Sequence, residues 1–272
     1  MDEPAALKHL ITACVPSDPS GSALRSVWQK AKAQLGAATP NAGSPAITAI
    51  PAGNAQHVMT LMQTPWAAQA LQSNLQGAKF QMVEIDPLLA FQFTVDLERS
   101  KHHCKSLSTP PTMEELMALC LPTAMIPETL QIAPLAQSIM IKARCLNLQT
   151  IAQGFFPQPN GPSVAGVFVG LALPLVHVVR WNGKCYLHNG FHRAVGAKLA
   201  GATQVPCIVR DVSDEAAAGI RADGSTFTSA ELNSSDPPTL SHFVSGRACD
   251  VNLRAHSRIV HVSWAEYVAY DE

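Results

Sequence analysis

The sequence has few charged residues and no excess of positive charge. Only 14% of its 272 residues are charged, and 19 lysine and arginine residues stand against 20 aspartate and glutamate residues, which gives a formal net charge of -1 at pH 7. A surface that holds duplex DNA through its phosphates normally carries a basic excess. Nucleic acid is therefore a possible partner, but the net charge does not favour it.

The sequence also lacks any cysteine pair at CxxC spacing and the cationic start of a signal peptide, since it opens with Met1-Asp2-Glu3. We therefore expect free thiols in a reducing cytoplasm, without a disulfide framework. Residues 102–104, His-His-Cys, are predicted to form a polar surface turn, because adjacent side chains rarely point at one metal ion. No metal site is expected. The seven cysteines are scattered over positions 14, 104, 120, 145, 185, 207 and 249.

A hydrophobic run long enough to span a membrane is missing as well. The longest apolar stretch, 164–179, is too short for a bilayer and is interrupted by Pro174 and His177. Buried strands explain this stretch better. With 47% hydrophobic residues, the chain can bury one large core or two modest ones. We expect a soluble, cytoplasmic protein with no membrane partner.

Local patterns predict a helical first part and a mixed second part. Apolar residues at three-and-four spacing indicate helices, β-branched runs indicate strands, and clusters of glycine and proline indicate loops. The stretch 131–156 is ambiguous, although 138–143 resembles a strand. The predicted helices are 4–13, 20–35, 65–75, 113–121, 191–200 and a short one at 239–244, the predicted strands are 80–85, 175–180, 184–188, 204–210 and 258–263, and the predicted loops are 37–53 and 157–163.

These elements predict an α+β fold, in which helices pack on a small mixed β-sheet. We expect a helical N-terminal extension at residues 1–78, a central domain at 79–212, and a C-terminal extension at 213–272 that packs on the core and ends in a strand.

Residues 188–193 join a predicted strand to a predicted helix through a sharp turn. Asn189 and Gly190 tolerate the unusual backbone angles that such a turn needs. The first N–H groups of a helix have no partner within it and carry the positive end of its dipole, so an anion is their natural ligand. Arg193, and His192 when it is protonated, add donors suited to phosphate oxygens. The segment therefore predicts a phosphate-binding site.

The same region resembles the ParB/sulfiredoxin superfamily. The resemblance rests on residues 187–194, the Ala200-Gly201 pair at the helix end and the Val-Pro strand 205–209. It implies a ParB/sulfiredoxin-like fold and a nucleoside triphosphate ligand, which is CTP in ParB proteins and ATP in sulfiredoxins. It also implies that a nucleotide-binding turn is formed by Asn189, Gly190, Phe191, His192 and Arg193. In this turn, Gly190, His192 and Arg193 contact the phosphates.

The sequence departs from the family pattern in three ways. Phe191 stands where sulfiredoxins have a cysteine, so reduction of a sulfinic acid is not expected. The Gly-Glu-Arg-Arg form of chromosome-partition ParB proteins is absent. No recognisable helix-turn-helix follows the domain, which argues against sequence-specific centromere binding.

A turn that binds phosphate still needs an acid or a base for catalysis. Glu84 and Asp86 end the first predicted strand on one face, where they could hold Mg²⁺ or accept a proton. His188 and His192 are the candidate proton carriers. Each acid taken singly is more often a solvated surface residue, and the other candidates are Asp96, Glu98, Glu114 and Glu115.

The sequence thus predicts a protein that binds a nucleotide or a phosphorylated small molecule and carries out phosphoryl chemistry. The ligand is ATP or CTP, with Mg²⁺ as its expected companion. Nucleotide hydrolysis, phosphorylation of a small molecule and phosphodiester cleavage by a ParB-like nuclease all remain open. The alternatives are a non-catalytic switch, in which the nucleotide reshapes a surface for a protein partner or a second copy, and a DNA-associated binding module.

Overall fold

The structure is a computed structural model of the chain. It describes residues 3–13, 22–35, 44–73, 75–124, 130–143, 148–158, 161–171, 173–221, 226–245, 247–248, 250–252 and 257–266. The chain forms two compact units: the first combines Met1–Ala124 with Pro174–Arg254, and the second combines Met125–Leu173 with Ala255–Glu272. The boundaries predicted after residues 78 and 212 stay predictions.

The described residues form helices together with several sheets whose strands are mainly antiparallel, so the predicted α+β class is confirmed. The helices are α1 (Glu3–Ala13), α2 (Ser22–Leu35), α3 (Ala55–Gln63), α4 (Pro65–Gln72), α5 (Leu97–Cys104), α6 (Met113–Cys120), α7 (Phe191–Leu199), α8 (Glu215–Ala218) and α9 (Ser229–Leu232). The strands are β1 (Ile47–Ala49), β2 (Lys79–Glu84), β3 (Gln131–Leu135), β4 (Ser138–Ala143), β5 (Leu148–Gln158), β6 (Gly161–Leu171), β7 (His177–Trp181), β8 (Lys184–Asn189), β9 (Gln204–Asp211) and β10 (Arg258–Ser263).

The first unit contains a five-stranded mixed sheet in the order β1-β2-β9-β7-β8. Strands β7 and β9 are parallel, and the other neighbours are antiparallel. Buried apolar side chains cover both faces of the sheet in two separate clusters. Side chains alternate along β8, so Cys185 and Leu187 lie in the core cluster that also holds the apolar side of α7, whereas Tyr186 belongs to a second cluster with Leu89 and Ile220. Because β8 and α7 flank the same turn, this packing fixes where the helix begins.

The second unit contains a three-stranded antiparallel sheet in the order β10-β4-β3 and the hairpin β5-β6. A small apolar cluster includes the buried side chains Ala143 and Leu148. The strand predicted at 258–263 is confirmed in full by β10.

Several local predictions need correction. The loop predicted at 37–53 contains β1, and the loop predicted at 157–163 contains the ends of β5 and β6, while residues 37–43 and 159–160 lie outside the described residues. Within the apolar run 164–179, residues 164–171 lie in β6 and residues 177–179 lie in β7, but Phe168 is 54% exposed, so the predicted burial of the run is wrong in part. The surface turn predicted at 102–104 is the last turn of α5, where basic side chains suit the negative end of the helix dipole.

The free thiols predicted from the cysteine spacing are confirmed for the cysteines that the structure describes. Cys104 is half-buried, and Cys120, Cys185 and Cys207 are buried. The cysteines at positions 14, 145 and 249 lie outside the described residues. Across the described ranges, no helix combines the length and the apolar character needed to cross a membrane.

Helix α6 begins with Thr112 as its N-cap. The Thr112 hydroxyl accepts the N–H of Glu115, and the Glu115 carboxylate accepts the N–H of Thr112 at 2.7 Å and the hydroxyl of Ser108 at 2.6 Å. These donors, with the Ser108 hydroxyl as the strongest, lower the pKa of Glu115 from 4.5 to about 2. Glu115 therefore stabilises the N-terminus of α6.

The Glu115 cap should make stability depend on pH. A carboxylate whose pKa is lower in the folded protein stabilises it above the unfolded pKa, and this stabilisation is lost as the pH falls through the folded value. We expect Glu115→Gln to lower the melting temperature at pH 6, and the difference from wild type to shrink steadily between pH 5 and pH 3. Thermal unfolding by circular dichroism measures this difference, and a difference that stays constant with pH would contradict the assignment.

Candidate functional site

The turn between β8 and α7 can be made only with glycine at its centre. Gly190 has a φ of 91°, and a Cβ atom there would lie 2.8 Å from Cγ2 and 2.9 Å from Cα of Val176. The backbone of Val176 is fixed on both sides, because its N–H donates to the Cys120 carbonyl and its carbonyl accepts the N–H of Ile208. The Asn189 side chain accepts the Gly190 N–H at 2.8 Å. The start of α7 is therefore held rigidly against the sheet.

The first turn of α7 presents three N–H groups that lack a protein acceptor among the described residues. The first hydrogen bond of the helix runs from the Ala194 N–H to the Gly190 carbonyl at 2.9 Å, which leaves the N–H groups of Phe191, His192 and Arg193. The Phe191 ring is buried and packs edge-on against Phe91 at 5.6 Å between centroids, so Phe191 offers only its backbone. Gly190, His192 and Arg193 are half-buried. These N–H groups form a small donor set for an anion.

The guanidinium group of Arg193 adds positive charge to this donor set. No carboxylate in the described part of the chain forms an ion pair with it. Burial and the nearby charge of Arg99 lower its pKa, although arginine remains charged in proteins. A half-buried cation that lacks a counter-ion has a strong tendency to bind an anion.

Arg99 comes from α5, outside the motif that predicts a phosphate site. Helices α5 and α7 approach closely at Gly196, where a Cβ atom would lie 2.7 Å from the Ser100 carbonyl oxygen and 2.9 Å from Cβ of His103. The charge of Arg99 acts on the first turn of α7, because it adds to the effect of burial in lowering the pKa of His192 and of Arg193. The arginine is exposed, and no acid in the described ranges pairs with it.

Two histidines lie among these arginines. Burial is the main cause that lowers the pKa of His192 to about 4, and the charge of Arg99 adds to it. Burial and the charges of Arg193 and Arg99 lower the pKa of His103 to about 4 as well. Both rings are therefore neutral at pH 7, so His192 adds a neutral ring to the site where the sequence suggested a cation. An anion bound here would raise both pKa values.

Asp96 is the acid whose charge acts on His192. Its carboxylate accepts the N–H of Arg99 at 3.1 Å as the N-cap of α5, and its charge opposes the lowering of the His192 pKa. Glu98 of the same helix pairs with Lys101 at 2.8 Å on the surface. Within the described residues, the charges that act on His192 are therefore one carboxylate against the two arginines Arg99 and Arg193.

The structure does not bring Glu84 and Asp86 to the turn. Strand β2 runs antiparallel to β9, so Glu84 faces Gln204, whereas Asn189 lies level with Ile208, about 13 Å further along β9. The Glu84 carboxylate accepts the Ala46 N–H at 3.2 Å. Asp86 forms an ion pair at 2.6 Å with Lys198 in the last turn of α7. Both acids therefore lie toward the opposite end of the helix.

His188 occupies a bulge in β8, because His177 pairs with Asn189 and Val178 pairs with Leu187. Its ring lies 5.0 Å from the His177 ring and 6.1 Å from the Phe91 ring, measured between centroids. Burial and the charges of Arg210 and Arg221 lower its pKa. Phe91 thus separates His188 from the first turn of α7, and His188 does not face the free N–H groups directly.

No group of three or more metal-ligating side chains lies together within the described ranges. Asp96, the acid whose charge acts on His192, already caps a helix, so the described residues do not fit a protein-held Mg²⁺ ion. The backbone N–H groups of the first turn of α7, together with Arg193, can bind and orient a negatively charged ligand.

Comparison of the chain with protein-family models, with curated proteins and with solved structures found no match. The site geometry therefore carries the functional argument.

Proposed function

We propose that this protein binds a nucleoside triphosphate, or another phosphorylated ligand, at the start of α7 and carries out or controls phosphoryl chemistry. The single observation that carries the proposal is the set of N–H groups at Phe191, His192 and Arg193 that lack an acceptor among the described residues, in a helix start that also carries Arg193, whose guanidinium forms no ion pair within the same residues. The sequence resemblance to the ParB/sulfiredoxin superfamily supports the same ligand class, with ATP or CTP as the first candidates.

In this proposal the protein positions the phosphates of the ligand and neutralises their negative charge. The backbone N–H groups and the helix dipole hold the terminal phosphate, and Arg193 neutralises its charge. Asp96 and His192 are the groups placed to accept a proton from an attacking hydroxyl or water. Glu84, Asp86 and His188 receive no role at the phosphates, because of where the structure puts them.

A second candidate function is a switch that binds the nucleotide without turning it over. The observation that favours it is that, among the described residues, Asp96 is the one acid whose charge acts on His192, and its carboxylate already caps α5. Nucleotide occupancy would then tighten the contact between α5 and α7 and change the surface that they offer to a partner or a second copy.

Incubation of the purified protein with ATP, CTP and GTP in the presence of Mg²⁺ separates the two candidates. We expect at least one nucleotide to raise the melting temperature, because a ligand that binds only the folded state stabilises it. Turnover that Arg193→Ala abolishes would support the enzyme, and nucleotide-dependent assembly without turnover would support the switch. If no nucleotide and no phosphate ligand stabilises the protein, both candidates fail.

A further inference from the structure

We infer that the edge of strand β6 pairs with β6 of a second copy of this chain, so that this strand is an interface between two copies. The inference goes beyond the proposed function and is independent of it, because it concerns the second unit and needs no nucleotide. The two residues that carry it, Val167 and Phe168, are both exposed.

Strand β6 has one neighbour and one open edge. It pairs with β5 in a two-stranded sheet, and no other strand among the described residues pairs with it. The open edge of a strand presents a row of N–H and C=O groups, which is a template for pairing with another strand. An isolated two-stranded hairpin is also only marginally stable in water. A further strand along β6 would therefore stabilise the hairpin.

The edge of β6 lacks the features by which proteins usually prevent such pairing, namely charged side chains, proline and bulges. No lysine, arginine, aspartate or glutamate stands between positions 145 and 179, and residues 164–171 contain no proline. Each residue of 164–171 pairs with β5 in unbroken order, because the extra residue of the bulge, Ile151, lies in β5. By contrast, the edge strand β3 of the other sheet in this unit carries Pro134.

The lack of charge in β6 points to a second copy as its partner. A strand that pairs with β6 gives up water along its length, so a charged side chain at the contact would lose hydration without gaining a counter-ion. β6 is itself a strand without charge, and two copies meet without any like-charged pair. A two-fold axis is the commonest symmetry of homo-oligomers, and here it pairs both open edges at once.

The exposed Phe168 and a pair of glycines complement each other across this axis. Gly154 and Gly166 are paired in β5 and β6, and no atom lies within 4 Å of the position that a Cβ of Gly154 would take. Phe168 lies on the same face as Gly166, because side chains alternate along a strand. Antiparallel pairing centred on Val167 places Phe168 of each copy opposite Gly166 of the other. The ring then covers the open space above the two glycines.

Analytical ultracentrifugation of the full chain, without nucleotide, tests the association. We expect wild type to pass from monomer to dimer between about 1 and 100 µM, since one pair of strands forms a small interface. Phe168→Lys adds a charge to the edge and should raise the dissociation constant at least about tenfold. Ile132→Lys is the matched control, because Ile132 is 64% exposed on the edge strand β3, and it should change the constant by less than about twofold. Circular dichroism checks that both variants remain folded.

Cysteine cross-linking tests the register. Val167 lies opposite its own copy at the axis, at a Cα separation of about 4.5–5.5 Å, which a disulfide can span. Val167→Cys should therefore form a covalent dimer with oxidised glutathione. Gln153→Cys should not, because Gln153 pairs with Val167 from β5 and lies three strand spacings, roughly 14 Å, from its own copy. Wild type treated in the same way accounts for the native cysteines.

Wild-type protein that stays monomeric at about 100 µM would overturn the inference. Equal association of Phe168→Lys and wild type would overturn it as well, and so would equal cross-linking of the two cysteine variants. These results leave the proposed phosphate site at α7 unaffected, because that site is tested by nucleotide binding.

Discussion

Gly190→Ala should lower the free energy of unfolding by about 2–5 kcal/mol, from backbone strain together with overpacking. Alanine would have to adopt a φ of 91°, and its Cβ would press on Cγ2 and Cα of Val176 at 2.8 and 2.9 Å. The backbone of Val176 cannot retreat easily, because hydrogen bonds to Cys120 and Ile208 hold it. Urea denaturation followed by fluorescence measures the loss.

Gly183→Ala is the matched control for this prediction. Gly183 also has a positive φ, of 76°, but no atom lies within 4 Å of the position that its Cβ would take. Strain alone should then cost about 1 kcal/mol. If the two variants lose the same stability, the contact with Val176 does not restrict the turn. If Gly190→Ala folds normally, the start of α7 is less rigid than the geometry indicates.

Arg193→Gln should reduce the affinity for the preferred nucleotide by a factor of about 30 or more. Removing a charged donor from a phosphate costs on the order of 2 kcal/mol or more, which corresponds to that factor. Stability should change little or rise, because the variant removes a half-buried charge that has no acidic partner among the described residues. Calorimetric titration gives the affinity, and the melting temperature of the free protein gives the stability.

Arg180→Gln provides the comparison, since Arg180 is an exposed arginine that forms an ion pair with Asp211 at 2.5 Å. We expect this variant to bind the nucleotide as wild type does. If Arg193→Gln binds the nucleotide with unchanged affinity, Arg193 does not contact the ligand. A marked fall in its melting temperature would show that the guanidinium stabilises the fold, and this would argue against a role in binding a ligand.

The segment from β7 to β9 could be predicted from sequence because its signals are local. The Asn182-Gly183 turn, the alternation along β8 and the Gly201 that follows α7 each constrain only a few neighbouring residues. The predicted helix at 191–200 differs from α7 by one residue at its end. The Thr112 cap of α6 is a local feature of the same kind, because it depends on residues three positions apart.

The sequence could not reveal which acids lie near the turn. Glu84 and Asp86 were natural candidates because they follow a strand, but their position depends on β2 running antiparallel to β9, and strand order is not a local property. Asp96 and Arg99 belong to α5, which was not predicted, because its charged and histidine-rich sequence lacks a strong apolar stripe. The close approach of α5 and α7 at Gly196 is a tertiary contact, which no local pattern in the sequence reveals.

Backbone amide NMR of ¹⁵N-labelled protein tests the central claim most directly. As ATP, CTP or tripolyphosphate is added, the amide resonances of Phe191, His192 and Arg193 should shift downfield together and saturate, because their free N–H groups acquire an acceptor. Arg193→Gln should need far more ligand for the same shifts. Ligand binding that moves resonances elsewhere and leaves these three unchanged would contradict the account.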